Sequence, residues 1–318
     1  MGSQKRLSPA RRLQGLVTLL GFGLLRLLPP ATALGVMGSL LAWLGPRLRR
    51  GRRMRKTLSV AFPQLSRAEI EVRTRAIWRH FGRTIATIPH LANFEAGRRG
   101  AKVSHQGKEN FASLAGKGGI VCGAHVGNWE VAGVIPPDLK RPIVVSYNAG
   151  EDPLTEALVA RCRRATGCEL VEKEHIPRKS AETLRAGKLM YFTIDQRVDQ
   201  GSEISFLGLP ALASRLPARL AVKYDVPILL VEAVWKEAAH YEVIYHPPLH
   251  PDPAIADADA RTRDLMLRMF EGIEDIVRRR PDEWFCLKKR WSSEELAAIR
   301  ADRAGAEARA AGLRRKGA

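Results

Sequence analysis

Aromatic side chains make up only 6% of the 318 residues, and no basic run is interleaved with them. Binding of single-stranded nucleic acid by base stacking therefore has little support. Zinc-finger and basic-zipper spacings are absent as well. There are only four cysteines, Cys122, Cys162, Cys168 and Cys286, and no C-x-x-C pair among them. Such usage does not fit a disulfide-stapled secreted scaffold and points to reduced thiols, with Cys122 in the core, the others unassigned and a Cys162–Cys168 disulfide as the secondary reading. The chain has no H-E-x-x-H, no P-loop and no G-x-G-x-x-G set between a strand and a helix, so metalloprotease, NTPase and dehydrogenase readings lack a motif. It has no G-x-S-x-G elbow, which removes the usual serine acyl-enzyme. No internal repeat is visible.

Positive charge and apolar bulk are abundant. Lys and Arg number 52 against 33 Asp and Glu, a formal net charge of +19, and 45% of residues are hydrophobic. A sizeable core is available, and disorder is not the default. The excess charge calls for an anionic partner: nucleic acid, lipid headgroups or an acidic protein.

Residues 16–44 are strongly apolar, interrupted by Arg26 and by the Pro29-Pro30 pair. A simple span needs about 20 apolar residues, and the prolines divide this stretch into two shorter pieces. Three readings stand: one kinked or tilted span, a shallow helical hairpin in one leaflet, or a secretory signal with Ala31-Thr32-Ala33 as its cleavage site. The signal reading is weakest, because the apolar stretch continues past Ala33. A basic collar follows, Arg47, Arg49, Arg50, Arg52, Arg53, Arg55 and Lys56. Placed there, it predicts contact with anionic headgroups and retention of the following domain on the cytoplasmic side.

Ser66-Arg67-Ala68-Glu69 predicts a helix start by a capping box, with the helix ending near Pro89. Strand-like runs follow at 119–123, 142–147, 189–194, 226–234 and 241–245. Helix-like runs fall at 128–134, 153–166, 177–186, 213–224 and 260–280. Their alternation predicts an α/β fold, a mixed sheet flanked by helices, after an N-terminal membrane-anchoring helical segment. Active groups in such folds gather beyond the carboxyl ends of strands. His125 and Asp195-Gln196 each follow a predicted strand directly, so both can reach one crevice.

His125 and Glu130 are five residues apart. In one helix that spacing is about 500°, which separates the side chains. His125 is therefore expected before the helix, with Glu130 in its first turns, accepting the imidazole N–H and leaving the other nitrogen as a general base. With no nucleophile motif beside it, such a base suits activation of a substrate hydroxyl.

His125-Val126-Gly127-Asn128-Trp129-Glu130 resembles the H-x4-D/E signature of glycerolipid-type acyltransferases. In its Gly-Asn-Trp-Glu form it is similar to the lipid A biosynthesis acyltransferases, the lauroyl/myristoyl-type family of Gram-negative bacteria. Ala61-Phe62-Pro63 with Leu65-Ser66, Asp195-Gln196-Arg197, Phe206 to Ala211, Pro281-Asp282-Glu283-Trp284 and Arg290-Trp291 resemble further blocks of that family. The resemblance runs from the anchor to about Trp291. It implies a fatty acyl thioester on acyl carrier protein as co-substrate, with no cofactor or metal. The implied acceptor is a lipid A precursor with a free 3-hydroxyacyl hydroxyl. It implies His125 as base and Glu130 as its partner. The family's arginine is matched to Arg164, with Arg161 as second choice and Arg163 between them, to bind phosphate or stabilise an oxyanion. Asp195, Gln196 and Asn128 are expected to line the site.

The implied division is an anchor and collar at 1–56, an acyltransferase domain at 57–293 and a basic tail at 294–318. The implied location is the cytoplasmic face of the bacterial inner membrane, and no nucleic-acid partner is expected. Cys286, Lys288, Ser214 and Leu216 depart from the family's usual residues. These departures leave room for another membrane lipid, a glycolipid or an aminolipid, as acceptor. A non-catalytic membrane-surface protein of the same fold is the second class.

Overall fold

The computed structural model describes residues 9–114, 117–134, 142–147, 152–172, 175–286, 290–292, 294–299 and 301. Lys288 and most of the basic tail lie outside them.

A seven-stranded sheet runs in the order β1 (Lys102–Gln106), β9 (His240–Tyr245), β8 (Ile228–Glu237), β2 (Gly119–Gly123), β5 (Leu189–Thr193), β3 (Ile143–Tyr147) and β4 (Glu169–Glu172). Neighbours are parallel except β8 and β9. The expected mixed α/β sheet is therefore present. β1 and β4 are polar, short and at the edges, which is why no apolar run marked them. β2 is buried along its whole length. Ile120 and Cys122 enter one hydrophobic core and Val121 the other, so the strand is covered on both faces as a central parallel strand must be. All four cysteines are free.

Helix α4 (Arg67–Thr87) starts where the sequence predicts. The Ser66 hydroxyl accepts from the Glu69 N–H, and the Glu69 carboxylate accepts from the Ser66 N–H at 2.8 Å. The helices of the α/β body are α6 (Pro153–Arg164), α7 (Ile176–Arg185), α8 (Leu216–Tyr224) and α9 (Ala258–Arg279), with short α5 (Leu91–Ala96) after α4. The helix expected at 128–134 does not form; those residues make successive turns. The expected helix start at 213 is also corrected. Ser202–Phe206 and Leu209–Ala213 pair as a hairpin, β6 and β7, around Leu207 and Gly208. Both turn residues have positive φ, 54° and 74°, as a two-residue hairpin turn demands. α8 begins after it.

The N-terminal segment forms α1 (Pro9–Leu27), α2 (Pro30–Leu44) and α3 (Arg49–Ala61). No helix of the described residues is long and apolar enough to cross a membrane, so the spanning reading is not supported. The prolines end α1 and start α2, and each helix packs on the body. A Cβ on Gly82 of α4 would collide with the Met37 carbonyl of α2, so those two helices cross with their backbones in contact. Arg99 donates to the carbonyls of Arg26, Leu27 and Leu28 at 2.8–3.0 Å and caps the open end of α1. The boundary expected after Lys56 falls inside α3, whose Met54 and Leu58 are fully buried. α1 and α2 nevertheless leave Leu20, Leu24, Leu27, Val36, Leu40 and Trp43 exposed.

Candidate active site

The sheet register builds the site. β2 and β5 are parallel neighbours, with Gly123 opposite Thr193. His125 and Asp195 each lie two residues beyond that pair, at the carboxyl edge of the sheet. Ile194 N–H donates to the Gly123 carbonyl, and Phe285 N–H donates to the His125 carbonyl at 2.7 Å. The turn after His125 is pinned from a third side, because Asn128 N–H reaches the Ala233 carbonyl of β8.

The His125 Nδ1–H donates to Asp195 Oδ1 at 2.6 Å. Trp284 Nε1–H donates to Asp195 Oδ2 at 3.1 Å. Both carboxylate oxygens of a buried aspartate are thereby satisfied. Burial alone would raise the Asp195 carboxyl; the His125 charge and its hydrogen bonds, helped by Trp284, outweigh that and hold it below the usual range. A charged carboxylate on Nδ1 fixes the tautomer and leaves the Nε2 lone pair free. At 3.3 Å from Nε2 stands the Gln196 side-chain nitrogen, positioned to donate. The Gln196 backbone carbonyl accepts from Arg290 Nη1 at 3.1 Å. Arg290 is 1% exposed and lies over the rings of Phe206 and Phe270. Burial lowers its guanidinium to about 10, with the Asp195 charge opposing the shift.

Glu130 does not fill the place expected for it. Its two oxygens take a bidentate pair from Arg163, at 2.8 Å from Nε and 2.6 Å from Nη2. Burial pushes Glu130 up, but the Arg163 charge and hydrogen bonds prevail and hold it low. Arg163 is held protonated by the same pairing against its own burial. The expectation that Glu130 accepts the imidazole N–H is corrected: β5 brings Asp195 to that nitrogen, whereas the turn after His125 aims Glu130 at α6.

A cavity of about 770 Å3 opens on this edge of the sheet. His125, Gln196, Glu130 and Arg163 lie on its wall, with apolar side chains including Phe81, Ile85, Ile88, Phe192, Ile194 and Phe285. Such a space, apolar with a few convergent polar groups, suits an extended aliphatic ligand beside a base.

The model of the family described as bacterial lipid A biosynthesis acyltransferase matches residues 2–293. The chain belongs to that family. It is an acyltransferase. No curated protein matches its sequence significantly. Among solved structures, it is similar to the 1-acyl-sn-glycerophosphate (LPA) acyltransferase PlsC from Thermotoga maritima. That likeness has 15% identity and a TM-score of 0.37, over 89% of this chain and 100% of that one.

The remaining expected residues fall as follows. Of the three arginines near the end of α6 in this acyltransferase, Arg163 reaches the cavity; Arg161 and Arg164 are exposed and do not line it. Asn128 is 1% exposed and turns away from the cavity, donating to Thr87 Oγ1 at 2.9 Å and accepting from the Glu130 N–H. Its place is inside the turn rather than against a substrate. Trp284, Arg290 and Trp291 were matched in sequence only as family blocks. In the acyltransferase Trp284 and Arg290 close on Asp195 and Gln196, while Trp291 packs edge-on against Trp284 and its Nε1 donates to the Pro210 carbonyl of β7. Their spacing carried no sign of that, because the contacts bridge about 80 to 90 residues of chain.

Gly127 holds the turn between His125 and Glu130. Its φ is +61°, and a Cβ there would collide with the Ala233 carbonyl. Gly127→Ala is therefore expected to destabilise the enzyme by about 2 kcal/mol or more. Gly133 has open space around its Cβ position and no positive φ, so Gly133→Ala is expected to change stability by less than about 0.5 kcal/mol. Thermal unfolding of the two variants in detergent checks the contrast.

Proposed function

We propose that this acyltransferase moves a fatty acyl group from the thioester of acyl carrier protein to the hydroxyl of a 3-hydroxyacyl chain on a lipid A precursor. The observation that carries the proposal is His125, held by Asp195 at 2.6 Å through Nδ1 and lining an apolar cavity. The acceptor hydroxyl replaces the Gln196 N–H at Nε2. As its oxygen attacks the thioester carbonyl, Nε2 takes the proton, and the Asp195 charge balances the imidazolium. The carbonyl oxygen gains the negative charge, which the Arg163 guanidinium stabilises from the same wall. Glu130 fixes that guanidinium. Collapse of the tetrahedral intermediate breaks the carbon–sulfur bond. The carrier's thiolate then leaves and takes the proton from His125, so the base is regenerated.

The exposed apolar faces of α1 and α2, followed by the basic collar, support a seat in one leaflet at the cytoplasmic face of the inner membrane. A helical pair docked on the body suits a shallow embedding. Incubation of purified protein with an acyl carrier thioester and a hydroxyacylated lipid A precursor, followed by mass spectrometry, tests the function. The expected product is heavier by one acyl chain, esterified at the 3-hydroxyl. An unchanged lipid, or an acyl chain on a sugar hydroxyl, contradicts it.

A further inference from the structure

Four arginines reach the wall of the cavity that holds His125: Arg50, Arg53, Arg163 and Arg197. Arg163 is taken up by Glu130. Arg197 lies 2.7 Å from Asp199 and 2.5 Å from Glu295. Among the described residues, Arg50 and Arg53 have no ion-pair or hydrogen-bond partner, while nearby Arg55 is held by Glu71 and by the Pro46 carbonyl. The only carboxylate on the described wall is Glu130, already neutralised. Two uncompensated cations therefore face the reaction space.

Their placement separates them from the rest of the collar. They stand three residues apart on α3, so they share one helix face. Arg50 is exposed and Arg53 half-buried, and both line the cavity, whereas Arg49 and Arg52, also exposed, lie off its wall. α3 is a firm base for the pair, because Met54 and Leu58 below it are fully buried. A Cβ on Gly51 would press against the Pro46 carbonyl, so the first turn of α3 is packed tightly on the preceding chain.

Two guanidinium groups on one face of a fixed helix suit one compact, multiply charged anion. A phosphate monoester carries close to two charges and several acceptor oxygens that match the guanidinium fork. We propose that Arg50 and Arg53 form a subsite for a phosphate monoester on the acceptor lipid, holding its headgroup at the cavity mouth so that the acyl hydroxyl reaches His125 Nε2. This inference rests on the acceptor being a phosphorylated lipid, as in the proposed function. An acidic carrier protein is the less suitable occupant, since docking across a protein surface would draw also on Arg49 and Arg52, which lie off the cavity, rather than on the two arginines that line it.

The test measures binding without turnover, so that failure of acyl transfer and failure of the subsite give different results. His125→Ala protein in detergent micelles is titrated with a 3-hydroxyacyl glycolipid bearing one phosphate monoester, and with its dephosphorylated counterpart. The His125→Ala protein is expected to prefer the phosphorylated lipid by about tenfold or more. Adding Arg50→Gln and Arg53→Gln is expected to remove that preference, with Lys at both positions restoring part of it. Thermal unfolding and affinity for the dephosphorylated lipid should stay as they were. A preference that survives the double glutamine substitution overturns the proposal, as does a His125→Ala protein that binds both lipids alike. In turnover assays on the otherwise wild-type chain, the double substitution is expected to raise KM for the phosphorylated lipid. A rise confined to KM for the acyl carrier assigns the pair to carrier docking and also overturns the proposal.

Discussion

His125→Ala is expected to lower kcat for acyl transfer by about 10^3-fold or more, with KM for donor and acceptor changed little. Nε2 is the group placed to take a proton at the cavity wall, and alanine leaves nothing in its place. The substitution also leaves Asp195 Oδ1 without its donor, a buried loss that costs about 1–3 kcal/mol. The rate must therefore be read on protein shown by circular dichroism to be folded. A folded variant that keeps more than a tenth of the wild-type kcat would refute the assignment of His125 as base.

The second large effect separates two carboxylates that the sequence ranked the other way, with Glu130 as the imidazole partner. Asp195→Asn is expected to lower kcat by about 10^2- to 10^4-fold with little change in the fold. The carboxamide keeps the shape and can still accept from Trp284. It loses the charge that balances the imidazolium, and its NH2 group can turn to Nδ1 and hold the imidazole in the wrong tautomer. Glu130→Gln is expected to act differently. It leaves the part-buried Arg163 guanidinium without its countercharge, and breaking such a pair costs about 3–5 kcal/mol when it is fully buried. Stability and kcat should fall together in that variant, while kcat alone falls in Asp195→Asn. Parallel unfolding curves and steady-state rates check this. The reverse pattern, with Asp195→Asn fully active, returns the imidazole partner to Glu130.

Much of the site was legible where it is written locally. The apolar run 119–123 is β2 with those bounds, and Ser66 with Glu69 caps α4 as read. His125 and Gln196 do follow their strands onto one cavity wall, with Asp195 buried behind His125 rather than lining the cavity. Their direct contact was not legible, because it depends on β2 and β5 being neighbours although β3 and β4 lie between them in sequence. Nearness along the chain favoured Glu130, and a helix expected after His125 gave it a place. The turn that forms instead sends Glu130 to Arg163. Which of Arg161, Arg163 and Arg164 meets it depends on how α6 is rotated, since each residue along a helix turns the side chain by about 100°. The apolar N-terminus was legible as membrane-directed composition. Its docking on α4 was not, because Gly82 against the Met37 carbonyl is a tertiary contact with no periodic signature. Trp284 and Arg290 were visible as family blocks, yet their grip on Asp195 and Gln196 appears only in three dimensions.

Everything in this mechanism turns on Asp195 fixing His125 with a proton on Nδ1 and a bare Nε2 facing the cavity. The most direct test is nitrogen NMR of protein labelled with 15N-histidine, the His125 signals being assigned by their loss in His125→Ala. A protonated Nδ1 and an unprotonated Nε2 are expected in the resting enzyme, an arrangement disturbed by Asp195→Asn and kept in Glu130→Gln. A proton on Nε2 with a bare Nδ1, or a His125 spectrum that responds to Glu130→Gln and not to Asp195→Asn, would contradict it.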